Sequence, residues 1–200
     1  MKMSKGEIQL ILGPMFSGKS TELLRRLSRY KCAGKKIISF KYQKDTRYEK
    51  TRSDDTKRAI KTHDGQSMDA YPCDNLFECI ELIKSFDVIG VDEGQFLPDI
   101  VDASEVFANM GKIVIIAAID GNFKREPFGN ILNLIPKAEK VKKLKAICIK
   151  CNWTAAFTER ITKETKEVLI GGEESYAATC RNCHKINVIS KSSQDLDIPD

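Results

Sequence analysis

One stretch constrains this chain more than any other: Gly13-Pro14-Met15-Phe16-Ser17-Gly18-Lys19-Ser20. It fits the pattern Gly, four residues, Gly-Lys-Ser/Thr, in which a curled backbone turns successive N–H groups toward a phosphate chain. Gly13 and Gly18 permit the curl because they carry no Cβ. An apolar run, Ile8 to Leu12, leads into the motif. A helical pattern follows, with Leu23, Leu24 and Leu27 on one side and Arg25, Arg26 and Arg29 on others. Strand, tight loop and helix is the context such a loop requires. There Lys19 reaches the β- and γ-phosphates, the Ser20 hydroxyl ligates Mg²⁺, and the helix N-terminus adds its partial positive charge. An ordinary glycine turn before a helix is the weaker alternative, because motif and context agree.

The rest of the chain continues the alternation. Lys36 to Phe40 reads as a second strand, Asp87 to Val91 as a third and Lys112 to Ile119 as a fourth, and Val141 to Ile147 returns to the sheet. Helices are expected over Lys19 to about Cys32, Asn75 to Ser85 and about Ile100 to Met110, with Gly34 and Gly111 as stops. A short helix is expected from Ile131 to Ile135, ahead of Pro136. This order predicts an α/β fold, a parallel sheet with helices on both faces. The 200 residues allow one main domain with a small appendage. Glu49 to about Ser67 is strongly polar without periodicity and reads as a long mobile loop. Asn187 to Asp200 reads as a disordered tail.

Ligands of open α/β sheets bind at the carboxyl ends of the strands, so the residues there matter most. The third strand runs into Asp92-Glu93-Gly94-Gln95-Phe96. An acidic pair opposite a phosphate loop places Asp92 to hold Mg²⁺ and leaves Glu93 to act on an acceptor. A strand-terminal turn is the bland reading. Gln95 groups with the nucleotide-binding residues. The fourth strand runs into Asp120-Gly121-Asn122-Phe123. Phe123 and Phe128 are either an aromatic wall for a base or ordinary core. Asp45 and Arg47 stand at the root of the polar stretch. They either reach the phosphates and metal or open a solvated loop. His63 reads as a surface or hydrogen-bonded structural residue.

Four of the seven cysteines form two Cys-x-x-Cys pairs, Cys148/Cys151 and Cys180/Cys183. Two such knuckles supply four thiolates for tetrahedral zinc, and four protein ligands make the site closed and structural. His184, next to Cys183, is an alternative ligand. The segment between the pairs is then a loop pinned at both ends, with Gly171-Gly172 as a turning point, able to fold over a substrate. Cys32, Cys73 and Cys79 read as small buried groups or plain thiols. Net charge is +5, from 33 basic and 28 acidic residues, which suits an anionic small substrate without demanding nucleic acid. No apolar run approaches membrane-span length, and Met1 to Gly6 has no signal-peptide core. A cytoplasmic protein without a membrane partner is expected.

Taken in order, these stretches resemble the type II, cytosolic-type thymidine kinases. The resemblance is carried by Gly13 to Ser20 with Thr21-Glu22-Leu23, by Lys44-Asp45-Thr46-Arg47-Tyr48, by Thr62-His63-Asp64 and by Val91 to Phe96. Asp120-Gly121 with Pro127-Phe128-Gly129, the cysteine pairs, and Ile170-Gly171-Gly172 with Tyr176 complete it, from about residue 7 to 185. The resemblance implies a RecA-like P-loop domain over residues 1–145, a zinc-binding lasso domain over 146–186, and a tail over 187–200. It implies transfer of the ATP γ-phosphate to the thymidine 5′-hydroxyl, with Mg²⁺ and structural Zn²⁺. It also implies a homotetramer with thymidine triphosphate as a feedback ligand.

By position, Glu93 corresponds to the family's general base. Lys19 holds the phosphates, and Arg47 is the candidate for stabilising the transferring group. Phe96, Phe123 and Tyr176 correspond to residues around the nucleoside, next to the candidate wall residue Phe128. Met15, Ile119 and Thr158 correspond to the pocket for the base methyl. Glu167, Val168, Leu169, Ile170 and Gly171 correspond to lasso backbone that grips the base edge. The stretch between Tyr48 and His63 is longer than the family commonly shows, and the tail has no Lys-Glu-Asn motif.

Two other classes fit less well. A regulatory GTPase needs an Asn/Thr-Lys-x-Asp motif that the sequence lacks, and Asp87-Val88-Ile89-Gly90 falls inside a strand. A zinc-ribbon nucleic-acid binder needs a basic face around the cysteine pairs. Lys140, Lys142, Lys143 and Lys145 supply charge, but Glu159, Glu164, Glu167, Glu173 and Glu174 follow.

Overall fold

The apolar run before the phosphate loop forms β1 (Glu7–Leu12), buried from Ile8 onward, in a computed structural model that describes residues 5–44, 59–62, 65–162, 164 and 171–184. In chain order follow α1 (Lys19–Cys32), β2 (Ile37–Tyr42), β3 (Ala59–Lys61), β4 (Ser67–Asp69), β5 (Tyr71–Cys73), α2 (Ile80–Ile83) and β6 (Val88–Asp92). Then come α3 (Ile100–Asn109), β7 (Ile113–Ala118), β8 (Lys140–Lys143), β9 (Ala146–Ile147), β10 (Thr154–Ala155), β11 (Phe157–Arg160) and β12 (Tyr176–Thr179).

Six strands form one sheet in the order β5-β2-β6-β7-β1-β8, and every neighbouring pair is parallel. All six carboxyl ends therefore share one edge. β7 lies between β1 and β6, the RecA-like arrangement. The loop after β1 and the acidic end of β6 thus face each other across about 10 Å, two strand spacings.

Alternation along the strands divides the core. Ile8, Leu10 and Leu12 face one side, where α3 contributes Ile100, Val101, Ala103 and Phe107. Ile11 faces the other, where α1 contributes Leu23, Leu24 and Leu27. Helices on both faces, the expected layering, follow from these two apolar stripes.

Several elements differ from the sequence reading. The expected strand Val141 to Ile147 splits. Lys140–Lys143 add an exposed, lysine-rich edge strand, and Leu144 still donates to the Leu12 carbonyl at 2.8 Å. Ala146–Ile147 then pair antiparallel with Thr154–Ala155 in a separate ribbon. The expected helix Asn75 to Ser85 is a 3₁₀ turn at Phe77–Cys79 followed by the single turn α2. Asn75 and Asp99 both accept the Phe77 N–H, an interaction that competes with regular helix. Ile131–Lys137 is 3₁₀ and includes Pro136. The end of the expected long loop is a hairpin, β3 against β4, closed by the Thr62 N–H to the Gln66 carbonyl. Residues 45–58, His63, Asp64 and the tail lie outside the described residues. Among those described, no helix is long and apolar enough to cross a membrane.

Candidate active site

Gly13 leaves β1 with φ 147, and a Cβ there would meet the Leu144 carbonyl oxygen at 2.7 Å. Gly18 holds φ 78, immediately ahead of α1. No side chain caps α1, so its leading N–H groups turn toward the loop. Lys19 Nζ donates to the Pro14 carbonyl at 2.7 Å, and Ser17 Oγ donates to the same oxygen at 2.8 Å. The lysine is thereby folded back across the concavity it would share with a phosphate.

The Ser20 hydroxyl crosses the gap between β1 and β6. It donates to the two carboxylate oxygens of Asp92, at 2.9 and 3.1 Å. A hydroxyl and a buried carboxylate converge at the mouth of the phosphate loop, an all-oxygen donor pair suited to a hard divalent cation. Glu93 follows, buried and in the left-handed region at φ 55. Gln95 Nε2 donates to its Oε2 at 2.6 Å, and Gln95 Oε1 accepts the Ile119 N–H at 3.0 Å. Gln95, grouped from sequence with the nucleotide-binding residues, therefore makes its described contacts with Glu93 and the end of β7.

Apolar and aromatic side chains gather on the β7 side. Met15, Ile119 and Tyr176 make one buried cluster. The Met15 N–H donates to Thr158 Oγ1 at 3.0 Å, joining the phosphate loop to β11. Phe96 stacks on Tyr42 with centroids 5.0 Å apart and meets Phe128 edge-on at 5.5 Å. Phe123 lies under the Arg160 guanidinium at 3.9 Å, and Arg160 Nη2 donates to the Tyr176 hydroxyl at 2.8 Å. Gly171 and Gly172 form the turn into β12, where the Gly172 carbonyl accepts the N–H groups of Ser175 and Tyr176. Asp45, Arg47, Glu167, Val168, Leu169 and Ile170 lie outside the described residues.

Tyr42 and Arg160 escaped the sequence reading. Tyr42 ends β2 at the same sheet edge as the other motifs, and Arg160 stands two residues beyond Thr158, on the same face of β11. Those two positional signals were available but carry no residue pattern of their own.

The sulfurs of Cys148, Cys151, Cys180 and Cys183 lie within 4.8 Å of one another. Burial alone would raise the Cys148 thiol. Backbone N–H groups of Cys180, Lys150 and Cys151 outweigh it and bring the thiol down to about 6. Cys183, crowded by Cys151 and Cys180, is pushed up to about 12. Four thiols this close do not ionise together without a cation between them. The cluster fits tetrahedral zinc. His184 lies outside this set: its Nε2 is 3.2 Å from the Thr158 carbonyl and its ring meets Phe157 edge-on. The clustered groups are the four cysteines, and His184, the alternative ligand expected from sequence, is not among them.

The family model for thymidine kinase matches residues 6–184. The chain is 50% identical over 182 residues to the thymidine kinases of vaccinia virus (strain Western Reserve), monkeypox virus and raccoon poxvirus. These alignments cover 91% of this chain and 98% of each relative. A phosphate loop facing an acidic strand end, a four-cysteine cluster and these matches agree: the chain belongs to the thymidine kinase family.

Proposed function

We propose that the protein transfers the γ-phosphate of ATP to the 5′-hydroxyl of thymidine, making thymidine monophosphate. The observation that carries this reading is the Ser20–Asp92 contact at the phosphate loop, set beside Glu93 and the Met15–Ile119–Tyr176 cluster. Family membership supplies the substrate.

Phosphoryl transfer asks a protein mainly for positioning and charge neutralisation. The N–H groups of residues 13–20 cradle the triphosphate, and Lys19 exchanges the Pro14 carbonyl for phosphate oxygen. Ser20 and Asp92 would hold Mg²⁺, which supplies positive charge to the phosphate oxygens when bound. Arg47, with Asp45 nearby in sequence, is the candidate for stabilising the transferring group. Glu93, oriented by Gln95, accepts the 5′-hydroxyl proton. Met15, Ile119, Thr158 and Tyr176 shape the base pocket, and Phe96, Phe123 and Phe128 line the nucleoside. Residues 167–171 supply backbone groups to the base edge. One methyl in such a pocket separates thymidine from deoxyuridine by only about 1–3 kcal/mol. Purines are excluded more strongly, because they leave buried backbone groups without partners.

Residues 1–145 act as the P-loop domain and 146–186 as a lasso domain that Cys148, Cys151, Cys180 and Cys183 anchor on zinc. Following the family resemblance, we take the enzyme to be a cytoplasmic homotetramer inhibited by thymidine triphosphate. Initial rates of phosphate transfer from ATP–Mg²⁺ test the central reading, with thymidine, deoxyuridine, deoxycytidine, deoxyguanosine and no acceptor run side by side. Thymidine-dependent product is expected. ATP hydrolysis indifferent to every nucleoside would sink the substrate assignment and leave the phosphate loop standing.

A further inference from the structure

Successive residues of β11 point to opposite faces, so Phe157 looks away from Thr158 and Arg160. Its ring is flanked by two guanidinium groups, Arg125 at 4.4 Å and Arg181 at 5.0 Å. Arg125 Nη2 donates to the Arg181 carbonyl at 3.4 Å, and Arg125 Nε is buried without a hydrogen-bond partner. The backbone of Arg125 is held at φ 64, a left-handed conformation that an L-residue adopts at a cost. Burial and the adjacent Arg181 charge both pull the Arg125 guanidinium below its ordinary value. Among the described residues, no salt bridge includes Arg125, Arg181 or Lys145. Arg125 lines a neighbouring cleft with Asp120 and Glu126, whereas Arg181 and Lys145 line one of their own, and cations without a counter-charge mark a place where an anion is favoured.

A cleft of about 390 Å³ opens on the Arg181 side, lined by Lys145, Trp153, Thr154, Phe157, Arg181 and Asn182 and by no acidic residue. Trp153 is 73% exposed and is the only tryptophan in the chain. An aromatic ring set among cations is what a base and its phosphate require together, and stacking accepts any base because every base has a π-face. The volume sits at the small end of ligand sites, roughly 300–1,000 Å³, which admits one nucleotide and not a strand. We propose that this cleft is a second nucleotide site, separate from the catalytic centre, in which a base stacks on Trp153 and its phosphate is held by Lys145 and Arg181. The Thr154 hydroxyl and Asn182 amide line the same cleft and offer further donors.

Emission from Trp153 reports on this cleft alone among tryptophans, so the full-length, zinc-loaded protein can be titrated directly with adenosine monophosphate. Saturable quenching is expected, with a Kd on the order of 1 mM. The same quenching is expected in Lys19→Met, which disables the catalytic phosphate loop. Lys145→Glu should weaken it at least tenfold while leaving thymidine-dependent turnover in place, which also shows that the fold is intact. Absent quenching, quenching lost in Lys19→Met, or quenching that survives Lys145→Glu would each overturn the site. Equal saturation by inorganic phosphate would overturn the base-stacking role. Far tighter, steeply salt-dependent binding of oligothymidylate would overturn the mononucleotide in favour of a single strand.

Discussion

Glu93 is held by constraints that a solvated surface carboxylate does not meet. Its backbone lies at φ 55, a conformation costing about 1–2 kcal/mol for an L-residue. Its carboxylate is buried and takes a 2.6 Å hydrogen bond from Gln95. Strain of this kind persists where surrounding structure over-determines it, and it concentrates at functional sites. Glu93→Gln is expected to lower kcat by about 10²- to 10⁴-fold, the usual share of a general base. The KM for thymidine should move only a few-fold in steady-state assays; unchanged turnover would remove Glu93 from the chemistry. Arg160 makes a different prediction, because it acts through Tyr176 and Phe123. Arg160→Met and Tyr176→Phe should each raise the KM for thymidine more than they change kcat. Combined, they should fall short of additivity by about 0.5–3 kcal/mol, the coupling of residues in direct contact. Strict additivity would show that the guanidinium does not position the ring.

At the scale of elements, α1 ties the phosphate loop to the sheet edge. Its Glu22 accepts from Arg25 at 2.6 Å and from Arg26 at 3.0 Å, and Lys142 of β8 approaches at 3.4 Å. The Arg25 hydrogen bonds, aided by Arg26 and opposed by burial, hold the Glu22 carboxyl down at about 2, from 4.5. A carboxyl lowered on folding contributes stability above its unfolded value, and that contribution is lost as pH falls from about 4.5 toward about 2. Glu22→Gln should therefore lower the melting temperature near neutral pH, with a modest cost because Arg25 is solvent-exposed. The gap from wild type should close as melts are repeated down to about pH 2. A gap constant across that range would assign the effect to something other than charge. The amphipathic stripe made α1 legible in the sequence. β5 was not legible: it is three residues long, contains Pro72, and exists only because β2 offers an edge to pair with.

Across the whole molecule, the four-cysteine cluster and the phosphate loop are linked by a short path. β11 pairs with β12, β12 leads to Cys180, and Thr158 of β11 accepts the Met15 N–H. Removing the metal should release this path as well as the knuckles. Chelation is expected to lower the melting temperature and raise the KM for thymidine at least tenfold, with recovery on zinc addition; structural zinc in small modules is worth about 10–16 kcal/mol. Cys148→Ser should reproduce the loss without rescue. A metal-free protein that melts and turns over like the parent would show that the cluster does not support the site.

The phosphate loop, the acidic strand end, the cysteine pairs and the layering of helices on a parallel sheet are all written in the order of the amino acids. Each depends on spacing within a short stretch or on apolar periodicity, and both are written locally. Tertiary structure decided which of those stretches meet. Ser20 finds Asp92 across 72 residues and Met15 finds Thr158 across 143, because the strand order β6-β7-β1 and the β11–β12 pair bring them to one edge. It drew in Tyr42 and Arg160, and it set His184 against the Thr158 carbonyl, outside the cysteine cluster. A side chain's partner in such cases is set by packing between distant segments, and no pattern within either segment specifies it.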